Sequence, residues 1–343
     1  VKGLEDKKAK MSSIVGRKAI DRIFELPEKN RLIVFHGREP STNFPLIKEL
    51  IEYSKGKGKI EFCIQSNGTL FDKNQLEFLK NEKVGIGISL DGLERHQIAN
   101  RPSKKGDSLY YKIINNLKKI KKFQKENSII TVISKHNVND LEKITKDFEK
   151  RGIDSVRLYP LCPNKNSYSE CPDQNELSKN MINTFDNYIK RTINGEKTIK
   201  IINLRDLARV FFRNNTTSNC VKCGGNNIHP LIAIDSQGDI YPCDFFWGRK
   251  EYKIGNIFQH SLAESFNSPL NFRVSRTTDN VEECSSCDWE KFCGAGCPGS
   301  SVLEGKGIVN KNYYCDYNKN MFEYLVKKLP LIHEKKILDK ILS

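Results

Sequence analysis

The sequence predicts an α/β fold, a partial parallel (β/α)6 barrel lacking its first strand, followed by a small cysteine-rich domain and a C-terminal helical segment. Three observations predict it. Helical and strand patterns alternate from residue 12 to about 195, as βα units require. The strands are short and apolar, as strands buried on both faces are. Eight of the eleven cysteines fall between Cys220 and Cys315, in a glycine-rich stretch of different character.

In order, Met11 to Leu26 reads as a helix, and Arg31 to His36 as a strand ending at Gly37. Phe44 to Ser54 is helical, and Lys59 to Ser66 is a strand closing on Asn67-Gly68, a turn dipeptide. Lys73 to Lys80 is helical, and Lys83 to Leu90 is a strand closing on Asp91-Gly92. A helix near Leu109 to Asn127, a strand Ser128 to Ser134, a helix Asn139 to Arg151 and a strand Ser155 to Leu161 follow. A helix over Glu176 to Arg191 closes this region. These are five strands, and because the chain opens on a helix, a first barrel strand is expected before Val1. The domains expected are 1–200, 218–317 and a helical tail 318–343, interrupted at Pro330.

The chain has 343 residues, enough for a large domain and a smaller one, each with its own core. Its apolar runs, such as Ile129 to Ile133, are too short to span a bilayer. The first residues are charged and lack the apolar core of a secretory signal, which places the protein in the cytoplasm. A net charge of +15 raises nucleic acid as a partner. The lysines, however, are spread over segments such as Lys118 to Lys125 that suit solvated helix faces, which disfavours that reading.

Eleven cysteines without a secretion signal argue for metal rather than disulfides. Cys63 reads as a small buried hydrophobe, and Cys162 and Cys171 as loop residues without close partners. The remaining eight run Cys220-Val-Lys-Cys223, fourteen residues to Gly238, four to Cys243, then Cys284-Ser-Ser-Cys287, Cys293, Cys297 and Cys315. Eight thiolates make two four-ligand sets, for zinc or for cubane iron–sulfur clusters. The spacing resembles the SPASM signature throughout. SPASM domains occur fused to radical S-adenosylmethionine (SAM) barrels, and the run Ile240-Tyr-Pro-Cys-Asp-Phe-Phe246 followed by Tyr252-Lys-Ile-Gly-Asn-Ile257 most resembles the anaerobic sulfatase-maturating enzymes.

That resemblance implies a radical SAM oxidoreductase that converts a Cys or Ser of a protein substrate, a sulfatase among the candidates, to Cα-formylglycine. It implies two auxiliary [4Fe–4S] clusters. Cys220, Cys223, Cys243 and Cys297 would hold the first; Cys284, Cys287, Cys293 and Cys315 would hold the second. A third cluster is expected in the intact protein. Its CxxxCxxC motif does not occur in these residues and is expected just before Val1, the alternative being a homologue that lost the site.

Within the barrel, Phe35-His-Gly-Arg-Glu-Pro40 resembles the family's GGEP motif, so Gly37 and Glu39 would hold the SAM amino group. Arg38 replaces the second glycine, where a side chain either weakens SAM binding or points outward. Gln65-Ser-Asn-Gly-Thr69 resembles the TNGT element. Ile88-Ser-Leu-Asp-Gly92 with Arg101 resembles the SAM carboxylate contacts, through Ser89 and Arg101, with Leu161 near adenine. Asp244, beside Cys243, matches the family's proposed base. Each of these could instead be a turn or strand cap.

The partners implied are a protein or peptide substrate and an electron donor such as ferredoxin or flavodoxin, with no membrane. Three rival readings remain. One is another SPASM peptide maturase, forming thioethers or crosslinks. The others are a non-catalytic cluster-binding protein and a zinc-binding basic module.

Overall fold

The structure, a computed structural model, describes residues 10–27, 30–103, 108–124, 126–164, 166–213, 231–274 and 278–334. The chain divides into two compact units, one of Val1–Phe35, Pro40–Cys63 and Ser218–Tyr313, the other of His36–Glu39, Ile64–Thr217 and Tyr314–Ser343.

The elements come in the order α1 (Ser13–Phe24), β1 (Leu32–Phe35), α2 (Phe44–Ser54), β2 (Glu61–Ser66), α3 (Lys73–Asn81), β3 (Gly85–Ser89), α4 (Glu94–Asn100) and α5 (Tyr110–Ile120). They continue with β4 (Ser128–Ile133), α6 (Leu141–Lys150), β5 (Ser155–Pro160), α7 (Gln174–Ile193), β6 (Lys200–Ile201) and α8 (Ile202–Arg213). These six strands form one parallel sheet in chain order. Strands β2 to β4 alternate strictly in burial. Ile64, Ile86, Ile88, Ile129, Ile133, Val156 and Leu158 are buried on one side of the sheet. The helices bury matching stripes, Leu76 and Leu79 on α3, Ile113, Leu117 and Ile120 on α5, and Ile144 and Phe148 on α6. Gln65, Gly87, Ser89, Ile130, Val132 and Arg157, the intervening positions, stay only half-buried. The sheet therefore has a helix-covered face and an open one.

Sequence reading missed three elements here. The two-residue β6 pairs with β5, Ser155 opposite Lys200 and Val156 opposite Ile201, and α8 starts at the next residue. Helix α4 follows the Asp91-Gly92 turn. The helix expected to reach Asn127 stops at Ile120, and the next residues turn so that Gln124 brackets the backbone of Ile86, donating to its carbonyl at 3.2 Å and accepting from its N–H at 3.1 Å. The final helix, α14 (Cys315–Glu334), runs on through Pro330 instead of breaking there. The carbonyl that Pro330 cannot reach belongs to Val326, whose residue is 44% exposed, so water can satisfy it. Tyr324 of α14 donates to Asp186 of α7 at 2.8 Å.

Among its described residues from 231 on, the first unit contains a three-stranded antiparallel sheet, β7 (Ala233–Ile234), β8 (Asp239–Tyr241) and β9 (Gly255–Asn256), and five short helices. These helices are α9 (Leu262–Phe266), α10 (Pro269–Val274), α11 (Glu282–Ser285), α12 (Glu290–Cys293) and α13 (Pro298–Glu304). Val15 and Ala19 of α1 pack with Ile240, Ile254, Ile257 and Leu262 in one core cluster, and Arg22 donates to the Ile257 carbonyl at 2.9 Å. The first helix of the chain thus completes the core of the cysteine-rich region. In the β7–β8 turn, the Asp235 carboxylate accepts from the N–H groups of Gln237 and Asp239. Gly238 takes φ +82° there, and a Cβ would lie 2.9 Å from Ile257, so both conformation and space call for glycine.

Candidate active site

In the second unit the polar residues gather where the strands end, the edge at which parallel α/β folds build sites. Past the end of β1, Glu39 spans to the loop after β2. One carboxylate oxygen accepts from the Ser66 hydroxyl and the other from the Asn67 N–H, each at 2.7 Å. Asn67 in turn accepts from the Thr69 N–H and hydroxyl, and Asn116 of α5 donates to the Gly68 carbonyl at 2.7 Å. Gly37 has φ +134° with nothing within 4 Å of an added Cβ, so its glycine serves the backbone conformation. Arg38 is exposed.

Gln65 donates to the Ser89 hydroxyl at 3.1 Å. Its side chain crosses directly over Gly87, where an added Cβ would fall on the Gln65 amide. Arg101 is engaged by the carboxylate of Asp91, Nε to Oδ2 at 2.7 Å and Nη2 to Oδ1 at 3.2 Å. Asp91 is 1% exposed and holds more than Arg101. Its Oδ1 accepts from the Val132 N–H at 2.9 Å, its own N–H donates to Gln97, and its carbonyl accepts from Asn137. One aspartate thus joins the ends of β3 and β4 to α4. Sequence reading took Asp91 for half of a turn dipeptide; its place directly after a strand, ahead of an arginine, was the available signal.

Leu161 extends the β4–β5 pairing by donating to the Ile133 carbonyl at 2.7 Å. Its carbonyl accepts from the Tyr314 hydroxyl at 2.7 Å and lies 3.4 Å from the Cys171 sulfur. The Cys171 thiol also reaches the Ser167 carbonyl, so this cysteine has close partners, contrary to the sequence reading. A loop that folds back on its own backbone places such contacts without leaving a periodic signal.

Below this edge, His96 of α4 is 1% exposed and its Nε2 is 3.1 Å from Asp140. Burial holds the imidazole below its ordinary range, outweighing the opposing pull of Asp140. Asp140 lies well below the usual carboxylate range, through hydrogen bonds first from Lys143 and then from Arg95 and His96. Between the lowered pKa and about 6.5 the unfolded chain binds the proton that the folded one refuses, so stability is lost as the pH falls. The melting temperature is expected to drop between pH 7.5 and 5.5, and to drop less in His96→Gln; a rise on acidification would contradict the assignment.

In the first unit, Asp244 is exposed and opens a 3-10 turn directly after Cys243. Cys284 is buried with Val281 and Ala295. The Cys287 N–H donates to the Cys284 carbonyl at 3.2 Å, and the Cys293 N–H to the Trp289 carbonyl at 2.8 Å. Cys297 is the N-cap of α13, its sulfur accepting from the Ser300 N–H at 3.4 Å. Gly294, Ala295 and Gly296 all have positive φ, 56°, 60° and 71°, which turns the chain sharply between Cys293 and Cys297. Cys315 opens α14. Cys220 and Cys223 lie outside the described residues. The thiol donors suit an iron–sulfur cluster chemically. Among the described residues, no three His, Cys, Asp or Glu side chains are gathered as a metal site. No described helix is long and apolar enough to cross a membrane.

Comparison with known proteins gives two family matches, the radical SAM superfamily over residues 13–148 and the SPASM iron–sulfur cluster-binding domain over residues 227–288. A cysteine-type anaerobic sulfatase-maturating enzyme of Clostridium novyi is 29% identical over 328 residues, 91% of this chain and 85% of that one. A serine-type enzyme of Bacteroides thetaiotaomicron is 25% identical, covering 87% of this chain and 76% of that one. Among solved structures, anSMEcpe with bound AdoMet and a peptide aligns with a TM-score of 0.82 at 24% identity, covering 96% of this chain and 91% of that one. This last likeness establishes the fold.

Proposed function

We propose, for a chain that is a radical SAM protein with a SPASM domain, the oxidation of a Cys or Ser residue of a protein substrate to Cα-formylglycine. The observation that carries this reading is similarity to sulfatase-maturating enzymes along 91% of the chain. The polar strand ends supply groups suited to SAM. Glu39 would take the amino group, with Gly37 letting the backbone approach. Ser89 and Arg101 would take the carboxylate, Arg101 having donors to spare beyond the two given to Asp91. The backbone at Leu161, pinned by Tyr314, would border the adenine.

SAM and its cluster, when bound, supply a radical that removes a hydrogen from the substrate's Cβ. Asp244 would take the thiol or hydroxyl proton, its exposure leaving the carboxylate accessible to a substrate group. Cys220, Cys223, Cys243 and Cys297 would hold one auxiliary cluster, and Cys284, Cys287, Cys293 and Cys315 the other. An auxiliary cluster would accept the second electron, and a ferredoxin- or flavodoxin-type partner would be the electron donor.

The test uses full-length protein, purified anaerobically and reconstituted with iron and sulfide. The auxiliary sets are expected to contribute about eight irons and eight sulfides per chain, four of each per cubane. A peptide carrying a sulfatase-type Cys or Ser is expected to gain an aldehyde that a hydrazide traps. Zinc in place of iron, with no visible colour, would sink the reading. Modification of the peptide without an aldehyde would point instead to a crosslinking maturase.

A further inference from the structure

Arg101 is the C-cap of α4, and its backbone N–H donates to the Gln97 carbonyl. The Gln97 side chain accepts from the Asp91 N–H at 2.9 Å, so the backbones of Asp91 and Arg101 are both fixed to this helix. Their side chains meet edge to edge. Arg101 gives its Nε and Nη2, the edge along the side of the guanidinium, to the two oxygens of Asp91 at 2.7 and 3.2 Å. A guanidinium carries five N–H groups in one planar fork. Three are left over, two on Nη1 and one on Nη2, without a partner among the described residues. Nη1 and Nη2 together form a second two-donor edge.

The strand ends are joined without Arg101. Asp91 Oδ1 accepts from the Val132 N–H, Asn137 donates to the carbonyls of both Asp91 and Val132, and the Thr131 hydroxyl donates to the Leu90 carbonyl at 2.7 Å. What the ion pair adds is direction. A long side chain that is 36% exposed has many rotamers open to it, and a carboxylate that is 1% exposed selects one by holding the Nε edge. The second edge then faces away from Asp91. Ser89 lies two residues before Asp91, at most about 7 Å along the chain. Its hydroxyl accepts from Gln65 and keeps its own proton to donate. A hydroxyl donor and a guanidinium edge are thus anchored to one three-residue stretch at the end of β3.

We propose that Asp91 is a positioning residue for SAM: by holding the Nε edge of Arg101 it presents the Nη1–Nη2 edge to the SAM carboxylate. The inference rests on the reading that Ser89 and Arg101 take that carboxylate. A fork held in place offers two parallel hydrogen bonds, the geometry a planar carboxylate accepts.

The test measures binding of SAM and of decarboxylated SAM to full-length, cluster-loaded Asp91→Asn, Arg101→Gln and the double variant. In Asp91→Asn the amide oxygen can keep the Val132 N–H, while the amide nitrogen replaces Oδ2 and opposes the Arg101 Nε. Each single variant is expected to lower the parent's preference for SAM over decarboxylated SAM roughly tenfold, the worth of a hydrogen bond to a charged group, with affinity for decarboxylated SAM kept. The double variant is expected to lose no more than either single one, because both act on one contact. If Asp91→Asn weakens both ligands equally, the aspartate is purely structural and the proposal falls. It falls too if the losses add in the double variant, or if Asp91→Asn keeps the preference that Arg101→Gln loses. A preference kept in Arg101→Gln overturns the proposal together with the carboxylate assignment beneath it. Should Asp91→Asn fail to fold, Arg101→Lys decides. Its ammonium can hold Asp91 but has no second edge, so the preference must fall, and a kept preference overturns the proposal. The expected pattern without any aldehyde product supports the proposal and counts against the formylglycine reading alone.

Discussion

Asp91→Ala is expected to cost the second unit about 3 kcal/mol of stability, the lower end of what removing one partner of a buried pair costs. The reason is the number of groups that one carboxylate serves. It accepts from both nitrogens of Arg101 and from the Val132 N–H at 2.9 Å, and all three lose that partner together. Arg101, 36% exposed, can turn to water, but the Val132 amide cannot be replaced as easily. Asp91→Asn keeps an acceptor for Val132 and should recover part of the loss. The thermal midpoint of the full-length protein is the measurement. If alanine leaves it unchanged, the aspartate does not tie the two strand ends together.

Asp244→Asn is expected to lower the rate of formylglycine formation by about 100- to 10,000-fold, the range a general base contributes. Iron and sulfide content should be unchanged, because the substitution leaves Cys243 in place. SAM cleavage should continue, because the proton is proposed to leave in a different step. The pairing of lost aldehyde with retained clusters separates a base from a structural residue. Full activity in the variant would remove Asp244 from the mechanism.

The strands and the turns that close them were legible because each carries a local signal. Asn67-Gly68 and Asp91-Gly92 end β2 and β3 where turn chemistry says they should. Helix α8 was not, because Lys200 to Arg213 contains no glycine or proline to mark where strand becomes helix. The two residues of β6 are too few for a period to show. Glu39, Ser89 and Arg101 are proposed for the site from motifs alone, and motifs do not say what these side chains touch. The partnership of Arg101 with Asp91 depends on α4 turning the chain back over ten residues, a tertiary event. The cysteines present the reverse case. Their spacing is informative in sequence, while the described residues gather no metal site.

The packing of α1 onto the β7–β9 sheet has a consequence for how the protein is made. The bond from Arg22 to Ile257 spans 235 residues. A ribosome releases the apolar stripe of Val15 and Ala19 long before the strands that cover it exist. At about 5–20 residues per second, that helix waits at least ten seconds without its partner. Contacts of such long range also form slowly, since the loop must close before burial rewards it. The nascent chain therefore has a defined window in which its first helix is a target for chaperones or for aggregation.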